Sequence, residues 1–232
     1  MALYGIGDVH GCSRTLAALL DRLAEDAGGA LGPADTLVFV GDYVDRGPDS
    51  PGVIDQLLDL ERRSEAGEGP RCVFLRGNHD QMMLDYVDGV GDQELWWVNG
   101  GRTTLASYAD RGELRLPPGH VAFLRRTGLA VQEGGFAFVH AGLDTRRSVA
   151  DNVADPDPRI ALWTREHFDA DLSAWEVPVV CGHTPVAEPV DRPRLIAIDT
   201  GAVYAGRPGF GRLTAVALPE RRFVSVETVD VV

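Results

Sequence analysis

The chain has 232 residues, of which 44% are hydrophobic, and its 22 basic and 35 acidic side chains give a net charge of −13. Every basic residue is an arginine, which excludes mechanisms that need a lysine amine: the P-loop lysine, the pyridoxal Schiff base and the Ser-Lys nucleophile pair. The length and hydrophobic fraction fit a single domain over residues 1–232 with a substantial core.

The acidic balance makes nucleic acids and anionic membranes poor partners, because both attract clustered basic charge. The three cysteines are too few and too scattered for a disulfide framework or a zinc site, which indicates a reducing compartment. The N-terminus lacks the pattern of a signal peptide, and no apolar run approaches the roughly 20 residues of a membrane span. We therefore expect a soluble, cytoplasmic protein that binds neither nucleic acid nor membrane. Its oligomeric state is left open.

Short aliphatic or β-branched runs, each followed by a turn, predict six buried strands. These runs are residues 3–6, 36–40, 72–75, 136–139, 177–180 and 195–198. Two further runs, 213–218 and 222–228, alternate in polarity and predict a hairpin at the end of the chain.

Helical patterns lie between the first strands. Ser13 can cap a helix over residues 14–27, and Pro51 begins a second helix with a leucine-rich face. From about residue 80 to residue 126 the pattern is mostly helical, and we interpret this stretch as an insertion within the same domain. The alternation of strands and helices predicts a stacked α/β architecture.

Polar residues follow the predicted strands at the points where they end. They are Asp8 and His10 after the first strand, Asp42 after the second, Asn78 after the third, and His140 and His183 after two later strands. In open α/β sheets, ligands bind beyond the carboxyl ends of the strands, so these loops are expected to converge on one site.

This set of side chains is suited to metal ions. Two carboxylates, three imidazoles and one amide oxygen fit Mn, Fe or Zn better than Ca or Mg. Six ligands are too many for one ion, whereas two ions that share a bridging aspartate would use them all. Pairs of ions about 3.5–4 Å apart are a common device for displacement at phosphorus, with activated water as the nucleophile.

The motifs resemble those of the metallophosphoesterases, specifically the phosphoprotein phosphatase branch. Gly-Asp-Val-His-Gly, Gly-Asp-Tyr-Val-Asp-Arg-Gly and Gly-Asn-His-Asp occur in this order and precede the two later histidine loops. Leu-Trp-Thr-Arg-Glu and Ile-Asp-Thr-Gly-Ala resemble bacterial and phage serine/threonine phosphatases, and the resemblance extends from residue 5 to about 201. It implies the calcineurin-like fold: a β-sandwich flanked by helices, with the metal site at the C-terminal ends of the strands.

The resemblance also implies a role for each motif residue. Asp8 and His10 would bind the first metal, Asp42 would bridge, and Asn78, His140 and His183 would bind the second. His79 would be the general acid that protonates the leaving oxygen, with Asp45 orienting it, while Arg46 and Arg165 would bind phosphate oxygens.

The expected function is therefore hydrolysis of phosphoserine or phosphothreonine by a hydroxide that bridges two divalent ions, most simply Mn²⁺, with Fe or Zn as alternatives. The substrate would be a phosphorylated protein or a small phosphoester. A dinucleoside tetraphosphate hydrolase or a broad-specificity phosphoesterase is the alternative. Relatives of the former kind commonly carry glutamine where this chain has His10, which favours the phosphatase.

Other polar and aromatic residues are given ordinary structural roles. His120 and His167 are predicted to be non-catalytic, and the pair Trp96-Trp97 is predicted to lie in the core in preference to lining a groove.

Overall fold

The computed structural model describes residues 1–113 and 115–230. Its strands are β1 (Leu3–Ile6), β2 (Thr36–Phe39), β3 (Arg71–Phe74), β4 (Ala130–Glu133), β5 (Phe136–Val139), β6 (Val179–Cys181), β7 (Val190–Arg192), β8 (Leu195–Ala197), β9 (Arg212–Leu218) and β10 (Arg222–Glu227). Its α-helices are α1 (Ser13–Asp26), α2 (Ser50–Glu65), α3 (Asn78–Asp88), α4 (Gln93–Trp96), α5 (Arg102–Asp110), α6 (Pro118–Arg126), α7 (Val149–Ala154) and α8 (Pro158–Trp163). A segment kinked at Gly100, where φ is 120°, joins α4 to α5 over Trp97–Gly101, and short 3₁₀ turns occupy Glu166–Phe168 and Ala202–Tyr204.

The strands form two mixed sheets of five strands each. The first has the order β10-β9-β1-β2-β3, in which β1, β2 and β3 are parallel and β9 is antiparallel to both β1 and β10. The second has the order β4-β5-β6-β8-β7, with β5, β6 and β8 parallel. Within each sheet, the carboxyl ends of the central parallel strands therefore lie on the same side, at the end of the sheet where these strands stop.

The two sheets pack face to face. Alternate residues of each strand point into the space between them, as the two-residue period of a strand requires. The side chains that fill this space include Val38, Val40 and Val216 from the first sheet and Phe138, Val180 and Ile196 from the second. Since helices cover the outer face of each sheet, strands such as β2 and β5 are apolar on both sides.

Helices complete the sandwich on both sides. α1 and α2 bury their leucine faces against the first sheet, while α7, α8 and Trp175 pack on the second. None of the helices in residues 1–113 and 115–230 is long and apolar enough to span a membrane. The predicted α/β β-sandwich flanked by helices is thus confirmed.

Local predictions agree with the structure except at a few points. Helices α3 to α6 account for the stretch predicted to be helical, residues 80–126, although α3 begins two residues earlier, at Asn78. The predicted cap of α1 is wrong: Cys12 is the N-cap residue, and the Ser13 hydroxyl donates to Asp49 Oδ2 at 2.6 Å instead. Strands β4 and β7 are missed, because they lie at sheet edges and are only partly buried.

Gly5 offers a test of how tightly the sandwich is packed. A Cβ atom there would lie 3.0 Å from Phe138 Cε1 and 3.2 Å from Val180 Cγ1, so Gly5→Val should overpack the interface. We expect urea denaturation to show a loss of about 1–3 kcal/mol in the free energy of unfolding. Gly32→Val is the control, because nothing lies within 4 Å of a Cβ at Gly32. Equal losses in the two variants would contradict this account of the packing.

His167 links protonation to stability. It is buried with its Nε2 3.7 Å from Cys181 Sγ, and burial, aided by Arg192, lowers the pKa of His167 to about 4. An unfolded histidine titrates near 6.5, so below that pH the unfolded chain binds a proton that the folded chain excludes. This histidine alone should lower the free energy of unfolding by about 3 kcal/mol between pH 7 and pH 4.

In His167→Gln, the loss of stability between pH 7 and pH 4 should accordingly be smaller than in the wild type by that amount. Urea titrations at a series of pH values measure the difference. Parallel stability curves for the two proteins would show that His167 does not contribute to it.

Candidate active site

The loops after β1, β2, β3, β5 and β6 meet at one edge of the sandwich. They carry all six predicted ligands, and each of these side chains is buried: Asp8, His10, Asp42, Asn78, His140 and His183. The structure thus brings the predicted residues together, because the parallel strands of both sheets end at this edge.

Asp42 lies at the centre of the group. Its Oδ2 is 3.4 Å from His10 Nε2 and 3.5 Å from His140 Nε2. Two clusters of potential ligand atoms, each within 4.8 Å, share this carboxylate: His10 with Asp42 and His79, and Asp42 with His140 and His183. Asp42 is therefore the residue that the two clusters have in common.

Backbone carbonyls orient two of the imidazoles. His10 Nδ1 is 2.9 Å from the Val44 carbonyl oxygen, and His140 Nδ1 is 3.1 Å from the Val40 carbonyl oxygen. A carbonyl can only accept, so Nδ1 carries the proton in each ring and Nε2 presents a lone pair to the site. Second-shell bonds of this kind fix histidine ligands in metalloproteins.

Several atoms have surroundings that suit a cation. Asp8 Oδ1 and His183 Nε2 are buried and have no hydrogen-bond partner among the described residues. Asn78 Oδ1 lies 2.9 Å from His140 Nε2, and with Nδ1 protonated both atoms are acceptors. A metal ion would satisfy these groups, and the donor set is one that Mn, Fe or Zn accepts.

In two respects the arrangement differs from that of a site already shaped to bind two metal ions. Asp8 belongs to neither cluster, and its Oδ2 accepts a hydrogen bond from the His183 amide at 3.0 Å. Arg46 Nη1 lies 2.6 Å from His10 Nε2, so the atom that would bind a metal accepts a hydrogen bond from the guanidinium. Binding of a metal at His10 therefore requires Arg46 to turn away.

The backbone at the site is held in an uncommon conformation. His10, Asp42, Asp45, Arg46 and His183 have φ angles of 47°, 53°, 74°, 70° and 65°, and Arg221 is the one further non-glycine residue with positive φ in the described chain. Gly41, with a φ of 109°, lets the loop after β2 pass directly over the Gly77 amide, where a Cβ would collide. Strain of this kind clusters at functional sites.

Asp80 fastens these loops to one another. Its carboxylate accepts hydrogen bonds from the backbone amides of Asp42, Tyr43 and Gly77, each at 2.9 Å. It therefore clamps the loop after β2 to the start of α3.

The predicted acid forms a buried dyad with its partner. His79 Nδ1 is 2.7 Å from Asp45 Oδ2, and both side chains are almost completely enclosed. The His79 amide donates to Asp42 Oδ1 at 2.9 Å. Asp42, which faces the imidazoles, therefore also fixes the start of α3, the helix that carries His79.

Sequence reasoning missed two residues that hold this dyad. Trp96 Nε1 donates to both oxygens of Asp45, at 3.1 and 2.9 Å, and Thr104 Oγ1 donates to Asp45 Oδ1 at 2.7 Å. Trp96 is indeed buried, as predicted, but its indole N–H serves the site. A carboxylate so well supplied with donors keeps a fixed orientation.

Asp199 is a further buried carboxylate that was not assigned a role. It follows β8, the third parallel strand of its sheet, so its position at a strand end was the available signal. Burial raises the pKa of Asp199 to about 6, and the same effect, together with Asp199 and Asp42, raises the pKa of Asp8. Burial also raises the pKa of Asp42, but the neighbouring imidazoles outweigh it and lower that pKa below the usual range.

A cavity of about 80 Å³, the active-site cavity, opens over these groups. Its lining includes Arg46, His79, Asn99, Trp163, Arg165 and His183. Arg46 and Arg165 have no carboxylate partner within the described residues, although the chain has a net charge of −13. The structure thus places both predicted phosphate-binding arginines beside the imidazole cluster.

This architecture is that of a metallophosphoesterase, and the comparison with family models agrees. Residues 1–211 match the calcineurin-like phosphoesterase family, so the chain belongs to that family. Members use dinuclear metal sites, for which the two clusters around Asp42 provide candidate ligands.

Particular relatives differ in substrate. The chain is 31% identical to the asymmetrical bis(5'-nucleosyl)-tetraphosphatase PrpE of Geobacillus thermodenitrificans, covering 95% of this chain and 92% of that one. It is also 31% identical to serine/threonine-protein phosphatase 1 of Salmonella typhimurium, covering 91% of each. The fold matches that of a cold-active protein-tyrosine phosphatase of Shewanella, with a TM-score of 0.66, 18% identity and coverage of 98% and 78%.

Trp96→Phe tests the support of the dyad, because it removes the indole N–H and keeps an aromatic ring at this position. The kcat should fall about tenfold for phenyl phosphate, whose poor leaving group needs a proton, and less for p-nitrophenyl phosphate. His79→Asn should show the same dependence on the leaving group with a larger loss.

Trp97→Phe is the matched control, because the Trp97 N–H has no hydrogen-bond partner to lose within the described residues. Metal content, measured by elemental analysis, should be equal in all these proteins. Equal losses on both substrates in Trp96→Phe would assign Trp96 to the fold alone.

Proposed function

We propose that the protein is a hydrolase of dinucleoside polyphosphates that depends on two divalent metal ions. The observation that carries this choice of substrate is the repeated match to asymmetrical tetraphosphatases: six of them, from different bacteria and 28–31% identical, each match 95% of the chain. The presence of His10 favoured a phosphoprotein substrate, but that inference rests on one residue, whereas this similarity extends over nearly the whole sequence. We therefore reverse the order in which the sequence motifs ranked the two substrates.

Six residues would hold the metals. Asp8 and His10 would bind one ion, Asn78, His140 and His183 the other, and Asp42 both. When bound, such ions activate water as a nucleophile and neutralise charge on the phosphate. The imidazole-rich donor set supports Mn²⁺, with Fe or Zn as alternatives.

Protein side chains would carry out the remaining steps. Arg46 and Arg165 would bind non-bridging phosphate oxygens, because the guanidinium fork matches them and neither arginine has a carboxylate partner in the described chain. His79 Nε2 would deliver a proton to the leaving oxygen, since its Nδ1 is already held by Asp45. Asp45 would retain its charge and keep the ring in place, supported by Trp96 and Thr104.

A phosphoserine or phosphothreonine phosphatase is the second candidate. It is supported by the similarity to serine/threonine-protein phosphatase 1, which covers 91% of the chain at the same identity. The two candidates share the metal ligands and the acid, so they differ only in what surrounds the reacting phosphate.

A substrate panel with added Mn²⁺ separates the candidates. We expect kcat/KM for diadenosine tetraphosphate to exceed that for phosphoserine and phosphothreonine peptides by tenfold or more. Chromatography of the products shows whether cleavage is asymmetrical. Faster cleavage of the peptides would favour the second candidate. Exhaustive chelation should abolish both activities, readdition of Mn²⁺ should restore them, and full activity in the metal-free protein would refute the mechanism.

A further inference from the structure

A second cavity adjoins the active site. It has a volume of about 120 Å³, and its apolar wall consists of Met82, Tyr86, Val90, Leu95 and Trp163. Trp163 lines the active-site cavity as well, so the two cavities share this indole as a common wall. We call the second one the side cavity.

The surface around the side cavity is unusually apolar. Seven large hydrophobic side chains are exposed in the described chain, and three of them line the side cavity: Val90, Leu95 and Trp163. The Trp163 side chain is 44% exposed, which is a high fraction for a large, mostly apolar indole. Exposed apolar patches beside an active site commonly mark binding surfaces.

The side cavity also offers hydrogen-bond acceptors. Asp85 accepts from Gln81 through Oδ1, and Asp92 accepts from the Leu95 amide through Oδ1. The second oxygen of each carboxylate makes no hydrogen bond within the described residues and is available to a donor. A flat apolar group with an amine on its edge would satisfy both the indole and the carboxylates.

We propose that the side cavity binds one nucleobase of a dinucleoside polyphosphate, stacked on Trp163, while the adjoining phosphates lie in the active-site cavity. This proposal rests on the proposed function. The volume is far below the roughly 300–1,000 Å³ of pockets that enclose whole small molecules, so it suits one end of the substrate. Adenine, guanine and cytosine carry the exocyclic amine that the acceptors require.

The first test compares substrates with and without a base. Trp163→Ala should raise KM for diadenosine tetraphosphate about tenfold more than KM for p-nitrophenyl phosphate, because stacking of a base on an aromatic side chain is lost. Trp163→Phe should recover most of the difference. Val90→Ser, which changes the far wall of the side cavity, should show the same selectivity to a smaller degree. In the wild type, KM should be higher for diuridine tetraphosphate than for the adenine compound.

Val98→Ser is the matched control. Val98 is 78% exposed on the same segment but is not part of either cavity lining, so neither KM should change. Equal increases in KM for both substrates in Trp163→Ala would overturn the proposal.

A second test does not depend on cleavage of dinucleotides. Adenosine 5′-monophosphate and ribose 5-phosphate are compared as competitors of p-nitrophenyl phosphate hydrolysis, since they differ only in the base. The adenine compound should compete about tenfold better in the wild type, and this advantage should disappear in Trp163→Ala. If the advantage is found but dinucleotides are not cleaved, the proposed function fails and the base site stands. If dinucleotides are cleaved and the advantage is missing, the base site fails alone.

Discussion

The site depends on the burial of one carboxylate among imidazoles. Asp42 Oδ2 faces His10 and His140, its Oδ1 accepts from the His79 amide, and its own amide donates to Asp80. A buried charge is tolerated only when groups that pair or hydrogen-bond with it surround it. These contacts therefore fix the position of Asp42, and through Asp42 they fix the surrounding loops relative to one another. The geometry of both ligand clusters and the start of α3 follow from this single arrangement.

Helices that lie between β3 and β4 in the sequence complete the candidate active site. Asp45 lies on the loop after β2, but its carboxylate is fixed by Trp96 from α4 and Thr104 from α5. The kinked segment between those helices, Trp97–Gly101, lies against the same loop, with the Gly100 carbonyl accepting from the Arg46 amide at 3.4 Å. The helical stretch between β3 and β4 therefore contributes side chains to the candidate active site as well as covering it.

Much of this could be predicted from the sequence because it obeys a local rule. Each candidate ligand follows a strand, and strands are recognisable from short apolar runs, so the sequence groups Asp8, Asp42 and His140 together. Trp96 and Thr104 were not recognised, because they lie 51 and 59 residues from Asp45 along the chain. Their hydrogen bonds to Asp45 form only when the helices pack against the loop after β2. Edge strands β4 and β7 were missed for a related reason, since partial burial leaves no strong apolar pattern.

The positive φ angles at His10, Asp42, Asp45, Arg46 and His183 have a consequence for how such a protein can change. Each residue in this conformation destabilises the fold by roughly 1–3 kcal/mol, and glycine would relieve much of it. Sequences more stable than this one therefore lie a single substitution away, at the very positions where the substitution removes a functional side chain. Selection for stability alone would therefore act against the side chains at these five positions before others.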